Sequence, residues 1–279
     1  MKTGMNLLLW TTHLTEEHFP VLAALKETGF DGVEVPVMEG DEAHFKALAT
    51  ELGNHGLEAT AVVAVGEEDN PISPDAAVRD KAVERLAQAC EMTAAMGAEV
   101  LCGPFHSAYK VFGEQGPTED EMNWSAEVLH RAGEAADKLG VTLMVEQLNR
   151  FECYLVNTAE QCRDLLRRAD HPRVKMLYDT HHAHIEEKDV GAAIAASAAE
   201  IRHVHISEND RGTPGKGQVN WVDSFAALKS NGYDGWLVIE SFSRLAPDFA
   251  AAIHIWRDLA SSVDEVYRDG HGFIQEMWR

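Results

Sequence analysis

No stretch of this sequence approaches the roughly 20 consecutive apolar residues that a membrane-spanning helix needs. Its four cysteines, Cys90, Cys102, Cys153 and Cys162, form no CxxC pair and are irregularly spaced. That argues against a thiolate zinc site or a disulfide framework and fits reduced thiols in a cytoplasm. Basic residues are scarce, 24 Lys plus Arg against 46 Asp plus Glu, for a formal net charge of −22. Partners that are held through phosphate neutralisation, nucleic acid and anionic membrane, are therefore not expected. The opening MKTGMNLLLW carries too short an apolar run for a signal peptide, and polar TTHLTEEH follows at once. No Pro- or Ser-rich linker divides the 279 residues. No GxGxxG follows the first apolar run, which weakens a dinucleotide-binding open sheet.

What the sequence has instead is a repeated alternation. Eight apolar, β-branched runs read as strands: MNLLLW, GVEVPV, EATAVVAV, EVLCGPF, VTLMVEQL, VKMLYDT, IRHVHISE and WLVIES. Between them lie amphipathic stretches such as EEHFPVLAALKETG and WVDSFAALKSNG, several ending in the glycine expected just past a helix. Helix starts are predicted at Ser73, with Pro74 in the first turn, and at the capping-box patterns TEDE from Thr118 and NTAE from Asn157. Strands this apolar suit burial on both faces. Eight strand–helix units predict a single (β/α)8 TIM barrel over residues 1–279, with chemistry at the C-terminal strand ends.

Four consecutive predicted strands finish in a group able to bind metal. The fifth ends at Glu146 and the sixth at Asp179, the seventh carries His205, and the eighth ends at Glu240. Any one of these is ordinarily an acid or imidazole capping a loop. Four converging on one rim would repel and lose solvation without a cation. Three carboxylates and one imidazole suit Mn²⁺, Co²⁺ or Mg²⁺ better than a thiolate-seeking ion. Period two puts His203 on the same face as His205 but deeper, as a hydrogen-bonded core residue. His181 and His184 fall in the loop or a short turn after the sixth strand. A Cys102–His106 nucleophile pair lacks a third orienting group. The first four strand ends offer little beyond Glu34.

The segments EQLNRFE, DTHHAHIEE, HISENDRGTPGKGQVNW and GYDGWLVIESF resemble the ketose 3-epimerases, the D-tagatose, D-psicose (allulose) and L-ribulose 3-epimerase group of the xylose isomerase-like TIM barrels. The resemblance is sharpest from about Val141 to Phe242. It implies epimerisation of a free ketose at C3 through a cis-enediolate, with Glu146 and Glu240 as both metal ligands and acid/base pair. It further implies that Glu152, His182 and Arg211 hold the sugar, that Phe242 lies against it, and that the protein is a homodimer or homotetramer. His181 stands where the family usually has an aromatic, and His184 where Asn is frequent. The loop PFHSAYKVFGEQGPTEDE lacks the family's tryptophan, leaving Tyr109 or Phe112 to form that wall. Rival readings are an aldose–ketose or hydroxypyruvate-type isomerase, a keto-sugar dehydratase or lyase, an endonuclease IV-like repair enzyme, and a metal-free sugar-binding barrel. The acidic charge opposes the repair enzyme.

Overall fold

The computed structural model describes residues 1–279. Eight parallel strands close into a barrel in sequence order: β1 (Lys2–Asn6), β2 (Gly32–Pro36), β3 (Glu58–Val62), β4 (Val100–Gly103), β5 (Thr142–Glu146), β6 (Val174–Asp179), β7 (Ile201–Ile206) and β8 (Trp236–Ile239). The ring is sealed where Lys2 to Met5 pair with Trp236 to Ile239. The main core of 60 buried residues fills the layer between sheet and helices. A small cluster of Leu8, Val62, Cys102, Met144 and Leu177 packs separately, and Cys102 touches Glu34 and His205 from distant strands, so this cluster lies in the barrel interior. No helix is long and apolar enough to cross a membrane.

Local chemistry moves several predicted boundaries. The first strand stops at Asn6 rather than running on to Trp10, because the Asn6 side chain accepts from Leu8 N–H at 2.9 Å and starts a 3-10 turn, Leu7–Leu9. The helix expected from Ser73 begins at Ala76. There Asp75 caps Ala77 N–H, while Ser73 Oγ is engaged in a turn with Asp75 N–H. The Thr118 capping box forms as read. The Asn157 box shifts by one residue to Thr158 and Gln161, since the Asn157 amide instead donates to the carbonyls of Leu148 and Cys153. His181 and His184 lie on a helix, Thr180–Glu186, that starts directly from β6. The aromatic C-terminal helix Val263–Trp278 packs Phe273 against Trp221 and Phe225, with ring centroids 5.2 and 6.0 Å apart.

Candidate active site

At the C-terminal rim the ends of β5 to β8 bring Glu146, Asp179, His205 and Glu240 together, all buried, with one ligand atom from each lying within 4.8 Å of the others. Neighbouring register does part of this work, pairing Asp179 with His205 directly across β6 and β7. Glu240 is the first residue beyond β8. His205 Nδ1 faces Glu240 Oε1 at 3.3 Å, Asp179 Oδ2 at 3.6 Å and Glu146 Oε1 at 3.7 Å. Yet this nitrogen has no hydrogen-bond partner.

The electrostatics express the same tension. Burial pushes the Glu146 carboxyl up to about 8, and the charges of Glu240 and Asp179 add to that against the pull of His205. Burial disfavours a charged His205, but the carboxylates of Glu240 and Glu34 outweigh it and lift the ring well above the ordinary histidine range. Burial likewise opposes the Asp179 charge, and Arg211 and His182 override it, holding this carboxyl well below the usual range. Three carboxylates around an unpartnered imidazole nitrogen form a donor set that fits a divalent cation of the Mn²⁺, Co²⁺ or Mg²⁺ kind.

Asp179 divides its two oxygens. Oδ1 accepts from the N–H groups of His181 (2.6 Å) and His182 (3.0 Å), capping the helix that follows, which leaves Oδ2 facing the cluster. Arg211, a buried non-glycine residue at φ 65°, reaches that oxygen at 3.2 Å, Glu240 Oε2 at 2.7 Å and Ser207 Oγ at 2.8 Å. His182 Nδ1 accepts from Asn149 N–H at 3.0 Å, which puts its proton on Nε2. That N–H stands 2.9 Å from Arg211 Nη2, itself only a donor, and 3.5 Å from Glu146 Oε1. Two donors side by side present a ready contact for an oxygen-rich ligand.

These groups open into a cavity of about 230 Å³. Its polar end is made by Glu152, His182 and Arg211, and its apolar wall by Leu8, Met38, Val62 and Phe249. Phe242 lines it and lies 5.1 Å from the Arg211 guanidinium, in cation–π geometry. Tyr109 lines the cavity, whereas Phe112 takes no part in its lining, is 50% exposed and lies against Tyr154. Cys102 and His106 do not pair. The Cys102 thiol donates to Glu34, and His106 lies beside Ser107 and Cys153. Burial, reinforced by Glu34, raises the Cys102 thiol well above its usual range, so it is no nucleophile.

Two carboxylates prove more consequential than the sequence suggested. Glu34 stands in the middle of β2 and not at a strand end, so it lies below the cluster, where it accepts from both His203 Nε2 and His205 Nε2 at 2.8 Å and makes His203 a hydrogen-bonded interior residue. Glu208 anchors the loop that carries Arg211, accepting from the N–H groups of Asn209, Gly215, Gln218 and Val219 and from Trp221 Nε1, all at 2.9–3.0 Å. A Cβ on Gly217 would stand 2.5 Å from Glu208 Oε1, so only glycine fits in this wrapping. The loop's glycine spacing, GTPGKG, was the available signal for it.

The family model for the xylose isomerase-like TIM barrel matches residues 22–276. A ketose 3-epimerase of Arthrobacter globiformis is 34% identical over 99% of this chain and 96% of its own. An L-ribulose 3-epimerase of Mesorhizobium japonicum is 30% identical over 98% of this chain and 93% of its own. Among solved structures, one of L-ribulose 3-epimerase superposes with a TM-score of 0.92 at 29% identity, covering 99% of this chain and 94% of that one. A D-allulose 3-epimerase from Methylomonas sp., in complex with D-allulose, gives 0.93 at 26% identity, covering 99% and 97%.

Proposed function

Because the chain belongs to the xylose isomerase-like TIM barrel family and, within it, to the ketose 3-epimerases, we propose that it epimerises a free ketose at C3, with Glu146 and Glu240 as the acid/base pair. The observation that carries this reading is the buried cluster of Glu146, Asp179, His205 and Glu240 around the unpartnered His205 Nδ1, next to the donors of Arg211 and His182. These four residues would hold the divalent ion, Mn²⁺ in the first instance and Co²⁺ or Mg²⁺ as substitutes. When bound, the ion acts as a Lewis acid toward the C2 carbonyl oxygen and steadies the negative charge that develops as the C3 proton leaves.

The proton transfer falls to the chain's own carboxylates. One glutamate takes the C3 proton from one face of the sugar while the other delivers a proton to the opposite face, so C3 inverts and no net proton is consumed. The two differ in surroundings, as such a pair requires. Glu240 is fixed by Arg211 Nη1 and, at 3.3 Å, by Asn6 Nδ2, whereas Glu146 has only the imidazoles of His182 and His205 as ion-pair partners and is the carboxyl that burial pushes up to about 8. Arg211 and His182 orient oxygens at the reacting end, Glu152 holds a hydroxyl further out, and Phe242 packs on the carbon skeleton.

The apolar wall of Leu8, Met38, Val62 and Phe249 supports an unphosphorylated sugar. The whole chain, 1–279, acts as one barrel unit in this reading. A homodimer or homotetramer fits the exposed Trp256 (69%) and Leu245 (58%), and the four unpaired cysteines fit a cytoplasmic setting. The test is incubation with Mn²⁺ and a panel of free ketoses in deuterated water, followed by NMR. Deuterium at C3 together with the C3 epimer is expected. Exchange at C1 instead, or no exchange on any ketose, would remove the proposal.

A further inference from the structure

Glu34, Cys102, His203 and His205 form a second buried cluster with metal-ligand spacing, directly beneath the first. Its hydrogen bonding argues against a second ion. Glu34 Oε1 accepts from Asn6 Nδ2 at 2.9 Å and His205 Nε2 at 2.8 Å. Glu34 Oε2 accepts from Thr60 Oγ1 at 3.0 Å, His203 Nε2 at 2.8 Å and Cys102 Sγ at 3.1 Å. Five donors leave this carboxylate no lone pair for a cation. The cluster is a saturated anionic hub, and its purpose lies in what those donors do next.

His205 is the donor that matters most. With Nε2–H committed to Glu34, the ring as a metal ligand carries its lone pair on Nδ1, the nitrogen that faces Glu146, Asp179 and Glu240. Asn6 supplies a second link. Its Oδ1 accepts from Leu8 N–H, so its amide orientation is fixed and Nδ2 must donate, at 2.9 Å to Glu34 and at 3.3 Å to Glu240. Register makes this geometry rigid, because Asn6, Glu34 and Thr60 are lateral neighbours across β1, β2 and β3. We infer that Glu34 and Asn6 are positioning residues for the metal centre: Glu34 sets the tautomer and direction of His205, and Asn6 ties that hub to the Glu240 carboxylate. This inference rests on the metal reading of the rim cluster given above.

Glutamine at position 34 separates the two requirements. It offers a single acceptor oxygen where two imidazole N–H groups each need one, so His205 or His203 must lose its partner. Measured by calorimetry, Mn²⁺ binding to Glu34→Gln is expected to weaken by about 10- to 100-fold, the usual cost of losing such a partner to a ligating histidine. The visible absorption of the Co²⁺-loaded protein should shift as His205 turns. Asn6→Ala is expected to keep Mn²⁺ affinity within about three-fold but to lower kcat about ten-fold at unchanged KM, since Asn6 touches Glu240 and not the sugar. A merely structural role would lower the melting temperature of both variants and leave affinity, Co²⁺ spectrum and kcat unmoved, which would overturn the inference. If Glu34→Gln does not fold, Glu34→Asp decides the matter on the same measurements, because it keeps the charge and withdraws it by one methylene. Should the unaltered protein itself bind no Mn²⁺ in the calorimeter, the rim reading fails first and takes this inference with it.

Discussion

The two halves of the barrel rim are built for different tasks. β5 to β8 end in side chains that face one another around a point: Glu146, Asp179, His205 and Glu240, with Arg211 and His182 alongside. β1 to β4 and their loops contribute no member of that ring, supplying Leu8, Met38 and Val62 to the cavity wall and, one layer down, Asn6, Glu34, Thr60 and Cys102. One half carries the reactive groups. The other holds them in place and gives the cavity part of its apolar surface, which Phe242 and Phe249 complete from beyond β8. The division is physically sensible, because a carboxylate such as Glu34 can support a ligand only from a position where it is itself fully satisfied.

The largest expected effects come from the late half. Glu146→Gln and Glu240→Gln should each lower kcat by about 10³- to 10⁴-fold, combining a lost acid/base group with a weakened ion site. Steady-state assays that find either variant within ten-fold of the parent would break the division at its strongest point. Next comes removal of the ion. Chelation is expected to lower the melting temperature by several degrees, since saturation at about 100 times Kd is worth about 2.7 kcal/mol of stability. An unchanged melting curve would show that the buried carboxylates are stable without a cation. Arg211→Ala follows, with KM raised more than kcat is lowered; the reverse pattern in initial-rate measurements would move Arg211 from orientation into the proton transfer. The smallest effect belongs to the early half. Val62→Ala should cost about 1–2 kcal/mol of stability by denaturant unfolding and change KM only a few-fold, and a loss of kcat as large as that of the late-half variants would erase the comparison.

The sequence made one half far more legible than the other. Eight apolar runs mark the strands, and four of them carry at or near their ends groups whose joint presence at one rim calls for a cation, so the ring is legible from the sequence. His203 was assignable to a hydrogen-bonded interior position from period two alone. Glu34 carries no local signal of its role, because its partners stand on β7, on the neighbouring β1 and β3 and on β4, and pairing across a barrel interior leaves no mark in local spacing. Asn6 was invisible for a sharper reason. It sat inside what read as a continuous apolar strand, and only its side-chain cap on Leu8 ends that strand there. The shifts at Ser73 and Asn157 have the same origin, a polar side chain with two competing local partners. Glu152, His182, Arg211 and Phe242 came from resemblance; the structure brings all four to one cavity.

The wrapped Glu208 carries a consequence for anyone reshaping this protein. Five donors drawn from residues 209 to 221 converge on a single carboxylate, so the segment is a knot tied around one charge and not a string of independent positions. Trimming it, or transplanting a piece of it, would untie the whole and let Arg211 swing away from Asp179 and Glu240. Redesign of sugar preference is better aimed at Leu8, Met38 or Val62, where a side chain can be exchanged without loosening that fastening.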